Sequence, residues 1–409
     1  MLYSERYCSR LESVSILVKF VALEMCAESI CLPAAELSSL TQANNYLAVN
    51  LYKLLAKDGE NIFFSPFSLS TALAMLFCAA RNETSLEIRR VLGYEIANIT
   101  DVSLVSAFQQ LLSALEKTPD DYVISFANSL LSQKNFAIKD DYKLTLKETF
   151  KALMMEADFV SESEKIVNHI NEWVKSKTNN MISQLLDSLD LSTVLIILNA
   201  VYFKGTWLNQ FKKRLTRIQS FYSKGIKNNA KQVNMMHLTE SFLYLEKESF
   251  RALLLPYKGE ELAMLVLLPN SINGLEELEN QLSSNFIQDI KREMCKRKVK
   301  VAFPKFQLNY TKSMKESFQS LGLERVFKDC ADLSGMSDSK QLKVSEIIHK
   351  AVVVVNEEGT EAAAATAVAI NCYSLSFDPQ FIVDHPFTFV IYNTISNLIM
   401  FMGRVEDLE

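Results

Sequence analysis

Adjacent carboxylates at Asp140–Asp141 and Glu357–Glu358, with four histidines (His169, His237, His349 and His385), make up the chain's candidate acid–base groups. A carboxylate pair can act as general acid and general base, but neighbours in a charged loop read as solvated surface. No histidine falls in HxxxH or HExxH. The seven cysteines (Cys8, Cys26, Cys31, Cys78, Cys295, Cys330 and Cys372) show no CxxC and no metal-ligand spacing, so no metal site is expected. GxGxxG, GxxxxGK[ST] and GxSxG are all missing. With ten glycines in 409 residues, phosphate-cradling loops have little to be built from. The expectation is no enzyme and no cofactor.

One charge run stands out in a chain of net charge −5. Lys291, Arg292, Lys296, Arg297, Lys298 and Lys300 place six cations within ten positions. They read either as a solvated helix end running into an exposed strand or as a site for a heparin-like sulfated polysaccharide, held by counterion release. The acidic balance argues against nucleic acid. Sequons at Asn82, Asn98 and Asn309 fit a glycosylated, secreted chain.

Residues 356–374, NEEGTEAAAATAVAINCYS, pose a different question. As a strand from Thr360, one face carries Thr360, Ala362, Ala364, Thr366, Val368 and Ile370, and the other Glu361, Ala363, Ala365, Ala367, Ala369 and Asn371. The first face has neither charge nor amide, which suits the middle of a sheet. The polar far end and Gly359 equally suit an exposed loop, and four alanines alone suit a helix. Small side chains make loop and strand both accessible, since little needs desolvating outside a sheet and little bulk obstructs entry into one.

The surrounding elements give an α+β chain, with helices first and strands later. Apolar residues at helical spacing mark helices over 43–56, 66–80, 103–116 and 166–186, the second opened by Ser65–Pro66. Near-continuous apolar runs at 193–203 and 262–268 are expected to be strands covered on both faces. Residues 299–306 read as an alternating strand, and 387–391 with 398–402 as a buried terminal hairpin. No linker or repeat divides 38–409, which is read as one domain. Residues 1–29 are a candidate signal peptide or N-terminal extension: Arg6 and Arg10 precede an apolar stretch ending in Ala27-Glu28-Ser29, but Lys19 and Glu24 interrupt it. An extracellular location is expected, with cytoplasmic as the alternative. No other stretch is long and apolar enough to span a bilayer.

Six blocks in register resemble the serpin family over residues 40–405. They are NIFFSPFSLSTALAML from Asn61, LNAVYFKGTW from Leu198, FPKF from Phe303, IIHKAV from Ile347, NEEGTEAAAAT from Asn356 and FIVDHPFTFVI from Phe381. The last departs at Thr388, where an apolar residue is usual. The resemblance implies helices packed on a large mixed sheet with smaller sheets and an exposed reactive-centre loop. It implies a metastable monomer whose loop is cut by a serine protease and then inserts as a new central strand, with the protease still attached. Loop insertion in serpins is itself a standard example of strand addition and of released strain.

On this resemblance Glu357, Glu358, Gly359, Thr360, Glu361, Ala362, Ala363, Ala364, Ala365 and Thr366 form the hinge, free of proline and of inward charge. Family spacing puts the scissile bond between Tyr373 and Ser374. An aromatic before the bond implies chymotrypsin-like targets, of the chymase or cathepsin G type. Ser65, Ser68, Asn199 and His349 match a polar cluster beneath the point where the sheet opens, and Lys305 and Glu357 match an ion pair at the loop's entry with Trp207 nearby. The alternatives are a non-inhibitory serpin acting as carrier or chaperone, and an inhibitor of cysteine proteases that uses Cys372 or Tyr373 as bait.

Overall fold

The computed structural model describes residues 34–116, 122–358 and 378–408. The candidate signal segment, the hinge from Gly359 to Thr366 and the Tyr373–Ser374 bond lie outside the described residues.

The first half runs α1 (Ala34–Leu55), β1 (Ile62–Phe64), α2 (Pro66–Ala79), α3 (Asn82–Val91), α4 (Asp101–Glu116), β2 (Tyr122–Gln133), α5 (Asp140–Glu148), β3 (Leu153–Ala157) and α6 (Ser163–Lys177). The second half is strand-rich: β4 (Leu195–Gly205), β5 (Arg217–Tyr222), β6 (Ala230–Glu246), β7 (Phe250–Pro256) and β8 (Leu262–Pro269). Then come α7 (Leu275–Asn280), α8 (Phe286–Glu293), β9 (Cys295–Pro304), β10 (Phe306–Ser313), α9 (Lys315–Ser320), β11 (Glu346–Val355), β12 (Gln380–Ile382), β13 (Phe387–Asn393) and β14 (Ile399–Val405).

These strands form two sheets and confirm the α+β class. A five-stranded mixed sheet has the order β10-β11-β4-β2-β3. A nine-stranded sheet runs β1-β14-β13-β8-β7-β6-β9-β12, with β5 added on β6. The terminal hairpin, β13 against β14, lies inside the second sheet with both strands buried.

β4 shows why its sequence is continuously apolar. Ile197, Val201 and Phe203 enter the main core with α2, while Ile196, Leu198, Ala200 and Tyr202 enter a second core beneath Ile166, Ile170 and Val174 of α6. Successive side chains alternate across a strand, so a sheet covered on both faces needs apolar residues at every position.

α2 begins as its sequence dictates. The Ser65 hydroxyl accepts from the Ser68 N–H at 3.1 Å, and Pro66 occupies the first turn, where its missing N–H costs nothing. Apart from Cys78, all of α2 is buried. Thr388, the departure from the family pattern, is buried with its hydroxyl satisfied. It donates to Gly403 O at 2.9 Å and lies 2.8 Å from the Tyr52 hydroxyl.

Three expectations need correction. Strands interleave with helices in the first half, because β2 and β3 complete the sheet that β4 begins. The helix expected over 166–186 ends at Lys177, since Asn179 and Asn180 take left-handed φ values of 51° and 62°. Ile182, Leu185 and Leu186 beyond it are still buried, and the Asn171 carboxamide oxygen accepts from Leu185 N at 2.8 Å and Leu186 N at 3.0 Å. The single strand expected over 299–306 is two, joined at Lys305.

Candidate functional site: a polar row in the sheet and the root of the loop

β4 and β11 are parallel neighbours, paired from Glu346↔Ile196 to Val353↔Phe203. β2 lies antiparallel on the other side of β4. The register aligns Asn128 with Asn199 and Asn199 with His349, so three polar side chains form one row across three strands. Position parity sets that row on the face toward α2, alongside the apolar Ile197 and Val201.

Ser65 and Ser68, at the start of α2, sit over this row. The Asn199 amide donates to Ser68 Oγ at 2.6 Å and to Asn128 Oδ1. Its carbonyl oxygen lies 2.5 Å from His349 Nδ1. Ser65 donates its backbone N–H to His349 Nε2 at 3.3 Å and its hydroxyl to Met400 O at 2.8 Å. An imidazole nitrogen that accepts a backbone N–H carries no proton, so the other nitrogen must carry it. His349 is therefore the neutral tautomer with the proton on Nδ1, which it donates to Asn199. Burial pushes its pKa down to about 3, because the low-dielectric interior penalises the charged ring. Ser65, Ser68, Asn199 and His349 are brought together in one hydrogen-bonded group. Asn128 was missed: nothing in its local sequence marks it, and only the register with Asn199 gives it a role.

Beyond Val355 the chain leaves the sheet, and its first residues are pinned at several points. Trp207 donates its indole N–H to Asn356 O at 2.9 Å. Phe211 N–H donates to Glu357 O at 3.0 Å, and the Gln210 amide to Glu358 O at 3.1 Å. Lys213 pairs with the Glu358 carboxylate. The Glu357 carboxylate is buried and accepts from Lys305 Nζ at 3.0 Å and from the Thr216 hydroxyl at 2.9 Å. Burial pushes its pKa up, but hydrogen bonds from its own backbone N–H, Lys305 and Thr216 outweigh this and hold it below the usual carboxylate value. Lys305, Glu357 and Trp207 thus meet at the start of this segment, while Phe211, Gln210, Lys213 and Thr216 were not anticipated.

Trp207 is itself fixed by stacking on Tyr257, with ring centroids 4.5 Å and planes 10° apart. Gly205 makes room for that tyrosine. A Cβ there would lie 2.5 Å from Tyr257 Cδ1, so larger residues are excluded by contact.

The cation run divides. Lys296, Lys298 and Lys300 alternate along β9 and share one exposed face, with Arg297 on the other. Lys291 turns away from the cluster: it donates to Asn397 Oδ1 at 2.8 Å and Thr394 O at 3.1 Å, and lies over the Tyr392 ring. Its ammonium is a structural tie rather than free charge, and Arg292 is paired with Asp289 at 3.4 Å. Asn82, Asn98 and Asn309 are all exposed, and Asn82 donates to Asp332 at 2.7 Å. Among the described residues there is no group of three or more His, Cys, Asp or Glu able to hold a metal ion. No described helix is long and apolar enough to cross a membrane.

A family model described as Serpin (serine protease inhibitor) matches residues 42–408. Intracellular coagulation inhibitor 1 of Tachypleus tridentatus is 40% identical over 375 residues, covering 90% of this chain and 89% of its own. Iripin-8 of Ixodes ricinus is 37% identical over 378 residues, covering 90% and 94%. The crystal structure of the thermophilic serpin Tengpin in its native state matches with a TM-score of 0.82 at 30% identity, covering 90% of this chain and 94% of that one. The chain belongs to the serpin family.

Proposed function

We propose that this serpin is a suicide-substrate inhibitor of chymotrypsin-like serine proteases, acting as a monomer. The observation that supports it most is the parallel β4–β11 pair, from whose second strand the chain runs directly into the loop segment. A strand that turns back after Glu358 and enters between β11 and β4 runs antiparallel to both. It replaces one ladder with two.

The net gain is therefore about one ladder. At roughly 1 kcal/mol per hydrogen bond, a strand over Thr360 to Ile370 contributes on the order of 10 kcal/mol. The His349–Asn199 bond crosses the same seam and must break first, so the polar row holds the sheet shut until insertion offsets it.

Chemically, the protease serine attacks the Tyr373 carbonyl and forms an ester, while the Ser374 amine leaves with a proton. Insertion of residues 360–370 then carries the acylated protease away before water can hydrolyse the ester. Tyr373 before the bond fits a deep apolar specificity pocket, as in chymase or cathepsin G, whereas trypsin-like enzymes need a cation there. The small, uncharged face of Thr360, Ala362, Ala364 and Thr366 supports rapid burial. The exposed face of Lys296, Lys298 and Lys300 is the part of the cation run that supports contact with a sulfated polysaccharide.

Incubation with chymotrypsin, read on a denaturing gel, tests the reading. The expected product is a complex near the summed mass that survives boiling in detergent. Cleaved serpin beside fully active protease would refute inhibition and leave a non-inhibitory carrier or chaperone, and complex formation confined to a cysteine protease would reassign the target class. For location, the three sequons support secretion and a relative named an intracellular coagulation inhibitor supports the cytoplasmic alternative. An endoglycosidase mobility shift on the native protein would decide for secretion.

A further inference from the structure

A cavity of about 350 Å³ opens on the nine-stranded sheet, where β12 lies beside β9 and β9 beside β6. That volume is at the lower end of the range for small-ligand pockets, about 300–1,000 Å³. Cross-strand register explains its lining. Thr239, Lys300 and Gln380 form one row across three strands, and His237, Ala302 and Ile382 form the row below, with Leu215 at the margin. The Thr239–Lys300–Gln380 row is cationic and hydrogen-bonding, His237 and Gln219 add polar groups beside it, and Leu215, Ala302 and Ile382 are apolar.

Two features of the polar end call for an anionic partner. The lining includes Lys300 but no Asp or Glu. His237 Nε2 is buried with no hydrogen-bond partner among the described residues. Burial, with the Arg217 charge nearby, lowers the His237 pKa, which favours the neutral ring, with one nitrogen a donor and the other an acceptor. A buried polar atom left unpaired is costly and uncommon in folded proteins.

We propose that this cavity binds an amphipathic monocarboxylate, its headgroup held by Lys300 and Gln380 with His237 taking the Nε2–H tautomer as a further donor, its apolar tail lying on Leu215, Ala302 and Ile382. The pairing follows from charge complementarity: an ammonium favours a carboxylate, and a neutral imidazole supplies a donor without a second desolvated charge. The site does not depend on the protease-trapping reading, although it involves β12, the first strand after the described chain resumes at residue 378.

Isothermal titration of the full chain with octanoate, and with octylamine of the same tail length as control, provides the test. Octanoate is expected to bind and to raise the thermal midpoint with concentration, and octylamine to do neither. Lys300→Ala should weaken octanoate at least about tenfold, the worth of one charge-assisted hydrogen bond, and Lys300→Arg should largely restore it. Because Lys300 is exposed, the ligand-free midpoint of Lys300→Ala should match the parent. Absence of octanoate binding, or binding unchanged by Lys300→Ala, would overturn the proposal. So would a concentration-dependent dimer that Lys300→Ala abolishes, since the occupant would then be a second copy of the chain.

Discussion

Replacing His349 by glutamine isolates what the buried imidazole does at the β4–β11 seam. A glutamine can still accept from the Ser65 N–H and donate to Asn199 Oδ1, so the row keeps its bonds and loses only its titration. In the unfolded chain a histidine takes up its proton near pH 6.5. In the fold it does so only at about 3. Between those values the unfolded state binds more protons, so stability is full above the unfolded pKa and declines as pH falls through it. The loss from this residue is about 2 kcal/mol between pH 7 and pH 5, and about 3 kcal/mol by pH 4. Glu279, whose burial pushes its pKa up to about 7, titrates in the opposite sense but is common to both proteins. Urea midpoints at pH 7 and pH 5, for parent and His349→Gln, give the difference directly. The parent should lose about 2 kcal/mol more than the variant over that interval. Parallel pH profiles would refute the reasoning, because the imidazole would then be protonated or wet in the native state.

Two further outcomes follow from the loop. Glu357→Ala removes the acceptor for Lys305 and Thr216 and leaves the backbone root less tied; a loss of about 2 kcal/mol is expected, kept modest because Lys305 is 46% exposed. It should appear as a lower melting temperature and a ladder of polymers on native gels after mild heating, and an unchanged midpoint with no ladder would count against the seam being latched there. Under the proposed insertion, Thr360→Arg places a cation among the first residues to be buried. It should turn the inhibitor into a substrate, seen as a rise in the moles of serpin consumed per mole of protease inhibited, and unchanged stoichiometry would refute insertion at that face.

Much of this was legible in local pattern. The runs of β4 and β8 announced strands covered on both faces, and Ser65–Pro66 announced the start of α2. Lys305, Glu357 and Trp207 were placed by resemblance, and the geometry joins them. Legibility failed where long-range pairing decided. β2, with serines and an asparagine among its apolar residues, is a strand because β3 and β4 flank it. Lys291 reads as one cation among six, yet its helix turns it onto Tyr392 and Asn397.

The sequence alone determined composition, period and local chemistry: the apolar faces, the helix start at Ser65, the small residues of 360–366 and the absence of catalytic motifs. Tertiary structure alone decided which polar residues share a row. Asn128, Asn199 and His349 are separated by dozens of residues, and their meeting depends on the register of three strands. A shift of one residue in any of them would turn that side chain to the opposite face.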